Sequence, residues 1–388
     1  MKKICVFTGT RAEYGLLRGV LEKLRDASEV ELAILASGSH LSPEFGNTFT
    51  EIENDGFVID EKVEMLLSSD SEVGMVKSMG LGLIGYGDAF ARLKPDMLVV
   101  LGDRFEAFSV CAAALAMRLP VAHIHGGEVT EGAIDEGIRH SITKMSQLHF
   151  CTTEEHRRRI IQLGEDPVTV FNVGSPGVEN IKKVPLMSKS ELAESIGFDL
   201  SEPYLVATYH PVTLSSATLP EFNNFLSVMA ETGCRLVFTK ANADAEGRFI
   251  NERIDEFAAE NPELRFSTES LGLVRYLSAM KYSAGVVGNS SSGIIEAPSL
   301  GVPTVNIGDR QKGRVRAESV IDCGTDADSI RAALERALSP EFSSFAKQIK
   351  NPYEGDAPSS TIVEQLLRFN GGVMKRFYDL PCDVKQGD

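Results

Sequence analysis

MLVVLGDRFEAFSVCAAALAMRLPVAHIHGGE, residues 97–128, holds two apolar runs, Met97–Leu101 and Val121–Ile124, on either side of a helical stretch, Glu106–Met117. Short continuous Val/Ile/Leu runs are the signature of strands in a parallel sheet, which helices cover on both faces. Strand, helix and second strand therefore read as one βαβ unit. The pattern extends outward in both directions. Ile4–Phe7, Glu31–Ala36, Leu148–Cys151 and Val168–Phe171 read as further strands, with helices at Ala12–Arg25, Glu72–Leu93, Ile134–Met145 and Glu154–Leu163. After Gly174–Ser190, a segment with two prolines and two glycines, the alternation restarts. Tyr204–Thr208, Arg235–Thr239, Ala284–Val287 and Thr304–Ile307 are its strands, and helices fall near 218–231, 246–260, 270–280 and 291–300. Two consecutive series predict an α/β protein of two Rossmann-like, doubly wound domains, residues 1–180 and 181–354. A last helix, about Ser359–Phe369 within 355–375, has no strand to lead into.

A chain of 388 residues accommodates two domains of ordinary size. Its formal net charge of −16 argues against nucleic acid or an anionic membrane as a partner, since the average field repels both. The longest mostly apolar stretch, Ala107–Met117, falls well short of the ~20 residues that span a bilayer. The apolar run at the N-terminus, Ile4–Phe7, is too short for a signal peptide. Six scattered cysteines without a CxxC pair fit reduced thiols in the cytoplasm.

In open α/β sheets ligands bind beyond the carboxyl ends of the strands, so two such domains face to face put the site in an interdomain cleft. The turns after the strands carry the chemistry. In TGTRAEYG (8–15), glycine admits a close ligand, the next helix offers N–H groups, and Arg11 suits phosphate. GLGLIG (80–85) matches GxGxxG but lies inside a helical pattern, so it reads as close helix packing and not as a dinucleotide fingerprint. Asp103 and Arg104 stand at the mouth of a buried strand, where charge is costly without a partner or ligand.

HIHGGE (123–128) is followed by Asp135, Glu136, Arg139, His140 and Lys144. His123 and His125 alternate by two and so share one strand face. No third histidine sits at a metal-binding spacing, and Arg and Lys lie nearby, so acid/base work by Asp103, Glu128, Asp135 and histidines titrating near neutrality is preferred to a metal site. Ile134, Ile138 and Ile142 mark the buried helix face, leaving Asp135 and Arg139 on another that lines the cleft.

In the second half, His210 follows a strand and fits a phosphate or ribose contact. GNSSSG (288–293) opens a helix, and Ser290, Ser291 and Ser292 provide donors suited to a diphosphate, with Glu296 one turn on as an acceptor for ribose hydroxyls. Arg310, Lys312, Arg314 and Arg316 follow the next strand. In so acidic a chain they form the local reversal of charge an anionic ligand needs.

TGTRAEYG (8–15), GNT (46–48), GDRFEAF (102–108), HIHGGE (123–128), IDEGIRHSITKMS (134–146), HPVT (210–213), NAD (242–244), GNSSSGIIE (288–296) and NIGDRQKGR (306–314) occur in this order. Together they resemble the hydrolysing UDP-N-acetylglucosamine 2-epimerases of bacterial sialic-acid biosynthesis. The resemblance implies a glycosyltransferase-B-like fold whose last helix crosses back to the first domain. It implies a UDP-sugar substrate, cleavage to UDP and N-acetylmannosamine through a glycal, no cofactor, and a homodimer or homotetramer. Arg11, Arg104, His210, Asn242, the Leu271 backbone, Ser290, Ser291, Glu296 and Arg310 would hold the nucleotide. Asp103, an acid near 125–128 and Asp135 would carry catalysis. His125 stands where some relatives have a catalytic Glu, so that role falls to His125 or shifts to Glu128. Gly15 replaces a nucleotide-binding serine. Alternatives are the same reaction on a UDP- or GDP-linked diacetamido-trideoxyhexose for legionaminic acid, a glycosyltransferase, and a non-catalytic nucleotide-sugar sensor.

Overall fold

The apolar runs do become strands. A computed structural model describes residues 1–69, 71–130, 133–211, 218–241 and 247–381. The first sheet contains β1 (Lys2–Thr8), β2 (Val30–Ser37), β3 (Glu61–Val63), β4 (Met97–Leu101), β5 (Val121–Ile124), β6 (Leu148–Cys151) and β7 (Val170–Asn172). The second contains β8 (Tyr204–Thr208), β9 (Arg235–Thr239), β10 (Arg265–Thr268), β11 (Gly285–Gly288), β12 (Thr304–Ile307) and β13 (Val320–Cys323). All pairings are parallel, in the orders β3-β2-β1-β4-β5-β6-β7 and β10-β9-β8-β11-β12-β13. Both are doubly wound, so each has a switch point, β1/β4 in one and β8/β11 in the other, where diverging connections open a crevice. The architecture is that of two Rossmann-like domains of the glycosyltransferase-B type.

Each sheet is covered on both faces. In β1, Ile4 and Val6 join one core with Leu17, Val99 and Ile124, while Cys5 and Phe7 join the opposite one with Leu98, Val100 and Tyr86. Leu205 and Ala207 pack with Phe225 and Phe238 on one side of the second sheet, and Tyr204 and Val206 with Leu277 and Met280 on the other. Edge strands β3, β10 and β13 have no clear apolar signal because they bury little. The segment after Gly174 is itself partly helical, at Pro176–Lys183. The helix Pro358–Arg368 returns Ile362, Val363 and Leu366 to the core of the first sheet. Val178, Ile294, Ile295 and Tyr353, with Val315 against them, join the two halves.

GLGLIG lies within the helix Glu72–Leu93. A Cβ on Gly85 would meet Val63 Cγ1 at 2.6 Å and one on Gly82 would meet Met65 Cε at 3.1 Å, so the reason for these glycines is packing. Cys5, Cys111, Cys151, Cys234 and Cys323 are free thiols, and Cys382 lies outside the described residues. Among the described residues no helix is long and apolar enough to cross a membrane.

Candidate active site

Gly288 closes β11 onto β8. Its φ is +132°, and a Cβ would sit 2.0 Å from the Thr208 carbonyl oxygen, a position only glycine tolerates. Asn289 next knits three turns together. Its Oδ1 accepts from the His210 backbone N–H at 2.7 Å and its Nδ2 donates to the His210 carbonyl at 2.8 Å. Its own carbonyl accepts from Arg310 Nη1 at 3.1 Å and Gln311 Nε2 at 2.8 Å. Ser290 caps the helix Ser291–Ile295, its Oγ accepting from the Ser292 N–H at 3.4 Å and lying 3.1 Å from Ser292 Oγ. Tyr276 Oη lies 2.5 Å from Ser292 Oγ.

The serines, Tyr276, His210 and Arg310 line a cavity of about 470 Å³ between the domains, with Asn289 behind them. Arg11, Tyr14, Gly15, Arg18, Glu51 and Asp55 face it from the first domain; His210, Glu269–Gly272 (which includes Leu271), Tyr276, Ser290, Ser291, Ser292, Glu296 and Arg310 face it from the second. The volume is that of an ordinary small-molecule site. Glu296 is half-buried in the lining, and its Oε2 is shielded from solvent with no hydrogen-bond partner among the described residues. Burial pushes its carboxyl up to about 7.

The first turn divides its N–H groups. The N–H groups of Gly9 and Thr10 donate to Glu13 Oε2 at 2.7 and 3.3 Å, and that of Glu13 to Thr10 Oγ1 at 3.2 Å. This capping box occupies three N–H groups of the turn and leaves those of Arg11 and Ala12, both in the cavity lining, at the helix start. Arg11 remains as the turn's cationic contribution to the cavity. Arg104 has its Nε 3.3 Å from Glu106 Oε2, and neither residue is among those lining the cavity.

The sugar-handling candidates form a second, nearly closed cluster. Arg139 is buried and ion-paired with Asp103, and it donates to the Glu128 carbonyl at 3.0 Å and Thr130 Oγ1 at 2.9 Å. His125 Nδ1 lies 3.1 Å from Glu128 Oε1, while Glu128 Oε2 lies 3.2 Å from Arg314 Nη1. Burial alone would raise the Glu128 carboxyl, but Arg314, His125 and His156 hold it well below the usual carboxylate range. Asp135 is half-buried in the first turn of the helix Ile134–Met145.

The paired-histidine expectation fails. β5 ends at Ile124, and His125 has a φ of +67°, so the strand alternation stops before it. His123 Nε2 instead lies 2.8 Å from the Gly102 carbonyl and Nδ1 3.3 Å from Thr143 Oγ1. Burial depresses its pKa to about 3, so it is a neutral core histidine and does not titrate near neutrality. Ile138 and Ile142 are buried, but Ile134, at the exposed start of its helix, is 46% accessible. Among the described residues no three His, Cys, Asp or Glu side chains group to hold a metal ion.

The basic loop also divides. Arg310 lines the cavity, Arg314 reaches across to Glu128, Arg316 pairs with Asp322, and Lys312 is exposed outside the lining. Gly313, with φ +81°, turns the chain between these destinations. Asn242 and the end of HPVT, Val212 and Thr213, lie outside the described residues. Sequence reasoning missed Asn289 and Tyr276. Asn289 sits inside the motif already noticed, whereas a tyrosine in an amphipathic helix gives no signal.

Two doubly wound domains enclosing a cleft with a serine turn, an arginine and a buried acid define a two-domain nucleotide-sugar enzyme fold. A family profile described as UDP-N-acetylglucosamine 2-epimerase matches residues 22–367, and the chain belongs to that family. It is 43% identical over 343 residues to the GDP/UDP-N,N'-diacetylbacillosamine 2-epimerase (hydrolyzing) of Campylobacter jejuni, covering 88% of each chain. It is 40% identical over 387 residues to the polysialic acid biosynthesis protein P7 of Escherichia coli, covering 98% of each. The UDP-GlcNAc 2-epimerase of Methanocaldococcus jannaschii, solved in complex with UDP-GlcNAc and UDP, has the same fold, with a TM-score of 0.79 at 19% identity over 95% of this chain and 100% of that one.

Proposed function

We propose that the chain is a hydrolysing 2-epimerase acting on a nucleoside-diphosphate-linked 2-acetamido sugar. The observation that carries this reading is the pairing of a serine and arginine cavity with a neighbouring cluster of ionised acids and a histidine. Arg11, His210, Ser290, Ser291, Ser292 and Arg310 hold the diphosphate, the Leu271 backbone meets the base, and Glu296 accepts from the ribose. In this reading Asn242 joins the nucleotide contacts, and Arg104, outside the cavity lining, reaches the nucleotide only by leaving Glu106. In this division residues 1–180, with the returning helix, handle the sugar and 181–354 the nucleotide.

As the bond from C1 to the diphosphate breaks, a base removes the C2 proton and a C1–C2 double bond forms. Water then adds its oxygen to C1, and an acid returns a proton to the opposite face of C2. Two faces require two proton-handling groups. Asp103, oriented by Arg139, together with His125 and Asp135, provides them. Glu128 stays ionised beside His125. Cations on the diphosphate stabilise the leaving group.

UDP-N-acetylglucosamine, giving UDP and N-acetylmannosamine for sialic acid in the cytoplasm, is the first substrate reading. The 43% identity to an enzyme named for diacetylbacillosamine supports a second, a UDP- or GDP-linked diacetamido-trideoxyhexose. Proton NMR of each nucleotide sugar in heavy water tests both. The expected product is a free 2-epimer carrying deuterium at C2. Retained C2 protium excludes the mechanism, and nucleotide binding without turnover, unaffected by Asp103→Asn, would indicate a sensor.

A further inference from the structure

Arg314 belongs to the loop that contributes Arg310 to the nucleotide cavity, yet its guanidinium is spent on the other domain. Nη1 lies 3.2 Å from Glu128 Oε2, and Nη2 donates to Thr130 Oγ1 at 3.3 Å. Both side chains of the ion pair are buried, at 9% and 2% exposure. The loop is pinned where it crosses: Tyr353 Oη donates to the Val315 carbonyl at 2.6 Å, and Arg316 Nε to that of Arg314 at 3.2 Å.

The other oxygen of Glu128 faces His125 Nδ1 at 3.1 Å and accepts from the Thr152 hydroxyl at 3.3 Å. The His125 backbone is held at φ +67°, its N–H donating to the Phe150 carbonyl at 2.9 Å. A non-glycine residue in that region persists where its surroundings over-determine it. With Nδ1 directed at a carboxylate, Nε2 is the nitrogen left buried and without a hydrogen-bond partner among the described residues.

We propose that Arg314 and Glu128 are positioning residues for His125, forming a relay across the domain boundary. Arg314 holds Glu128 in place and ionised. Glu128 accepts the Nδ1–H of His125 and so fixes the tautomer whose Nε2 lone pair exchanges the proton at C2 of the sugar. A carboxylate that fixes a neighbouring imidazole in one tautomer is a familiar catalytic device. Arg310 and Arg314 share one loop, but the Arg314–Glu128 pair is already formed in the fold, so the alignment is preorganised and does not wait for the diphosphate. The proposal rests on the 2-epimerase reading for its chemistry, but the relay itself has a readout that needs no turnover.

Glu128 in its own turn and His123 on β5 are the groups that face His125, while Arg314 and His156 act on Glu128, and Arg159 acts with Arg314 on Arg139. The test compares Arg314→Gln, Arg314→Lys, Glu128→Gln and their Gln/Gln double variant in the full-length chain. The imidazole nitrogen spectrum reports the tautomer. In the wild type His125 is expected as the Nδ1–H form, and in Arg314→Gln and Glu128→Gln as a mixture, with Arg314→Lys in between. Turnover is expected to fall about 10²-fold in each Gln variant, the size of one general acid/base contribution. UDP affinity should stay within threefold, the acid limb of the pH–rate profile should move, and the double variant should be no slower than the worse single one. An unchanged tautomer in both Gln variants overturns the relay, as does an Arg314→Gln variant that loses UDP affinity while keeping its turnover number. A tautomer that depends on both residues in a protein that turns over no nucleotide sugar would sustain the relay and break the epimerase reading.

Discussion

The cavity proposed to take the nucleotide and the cluster proposed to handle the sugar are built in opposite ways. The first, the nucleotide end of that reading, is open and lined by serine hydroxyls, Arg11 and Arg310, all half-exposed. The second, its sugar end, is a nearly closed knot in which Asp103, Glu128, Arg139 and Arg314 neutralise one another. Preorganised dipoles bind an anion with many small contributions, so the loss of one is graded. Buried charges are held only by their partners, and removing one leaves another stranded at a cost of several kcal/mol. Binding should therefore degrade gradually and catalysis abruptly.

The sharpest way to break that contrast is Arg139→Ala. It strands the Asp103 carboxylate and removes donors from the Glu128 carbonyl and Thr130. We expect a loss of about 3 kcal/mol in unfolding free energy by urea titration and a fall in turnover of about 10²-fold or more. Stability within 0.5 kcal/mol of wild type would show that the knot is not held by its charges.

Acid should also act on the first domain before the second. His123 is buried neutral with its pKa depressed to about 3, whereas the unfolded chain protonates a histidine near 6.5. Between those values the unfolded state binds more protons, so stability rises with pH and is lost as pH falls below 6.5. The slope reaches about 1.4 kcal/mol per pH unit from this one group. Glu128 acts in the same direction lower down: its folded pKa is depressed, so its contribution is present above the ordinary glutamate value and disappears as pH drops below it. Melting temperature against pH for wild type and His123→Gln measures the difference. Parallel curves from pH 6.5 to 5 would mean His123 is not the group responsible.

At the nucleotide end, Arg310→Ala removes one charge-assisted contact, worth about 1.5–3 kcal/mol, so UDP affinity by calorimetry should fall about tenfold or more. Folding should be nearly untouched, because Gln311 Nε2 still donates to the Asn289 carbonyl at 2.8 Å. Unchanged affinity would remove the cavity from the nucleotide's path.

What was legible follows the same division. Parallel-sheet cores announce themselves in continuous runs such as Met97–Leu101, so the fold could be read, and turn motifs such as GNSSSG keep donors adjacent in sequence, so most of the residues that line the cavity could be named. The sugar end could be named but not wired. That Arg314 meets Glu128 depends on a contact between residues far apart in the chain, and no local pattern encodes it. His125 was assigned to the face of His123 because a two-residue period was extended one step too far; a positive φ at a non-glycine residue leaves no mark in sequence. TGTRAE encodes both a capping box at Thr10 and Glu13 and a helix start whose Arg11 and Ala12 line the cavity.

The finest test lies within the basic loop, where four cations in a row of seven residues read as one phosphate-binding patch. Lys312 is exposed and outside the cavity lining, unlike Arg310. At 0.15 M salt the field of a surface charge decays over about 8 Å. Lys312→Ala should then change UDP affinity by less than about twofold, with the small effect growing as salt is lowered. An effect equal to that of Arg310→Ala would mean that the loop refolds around its ligand and that Gly313 does not separate its cations into distinct tasks.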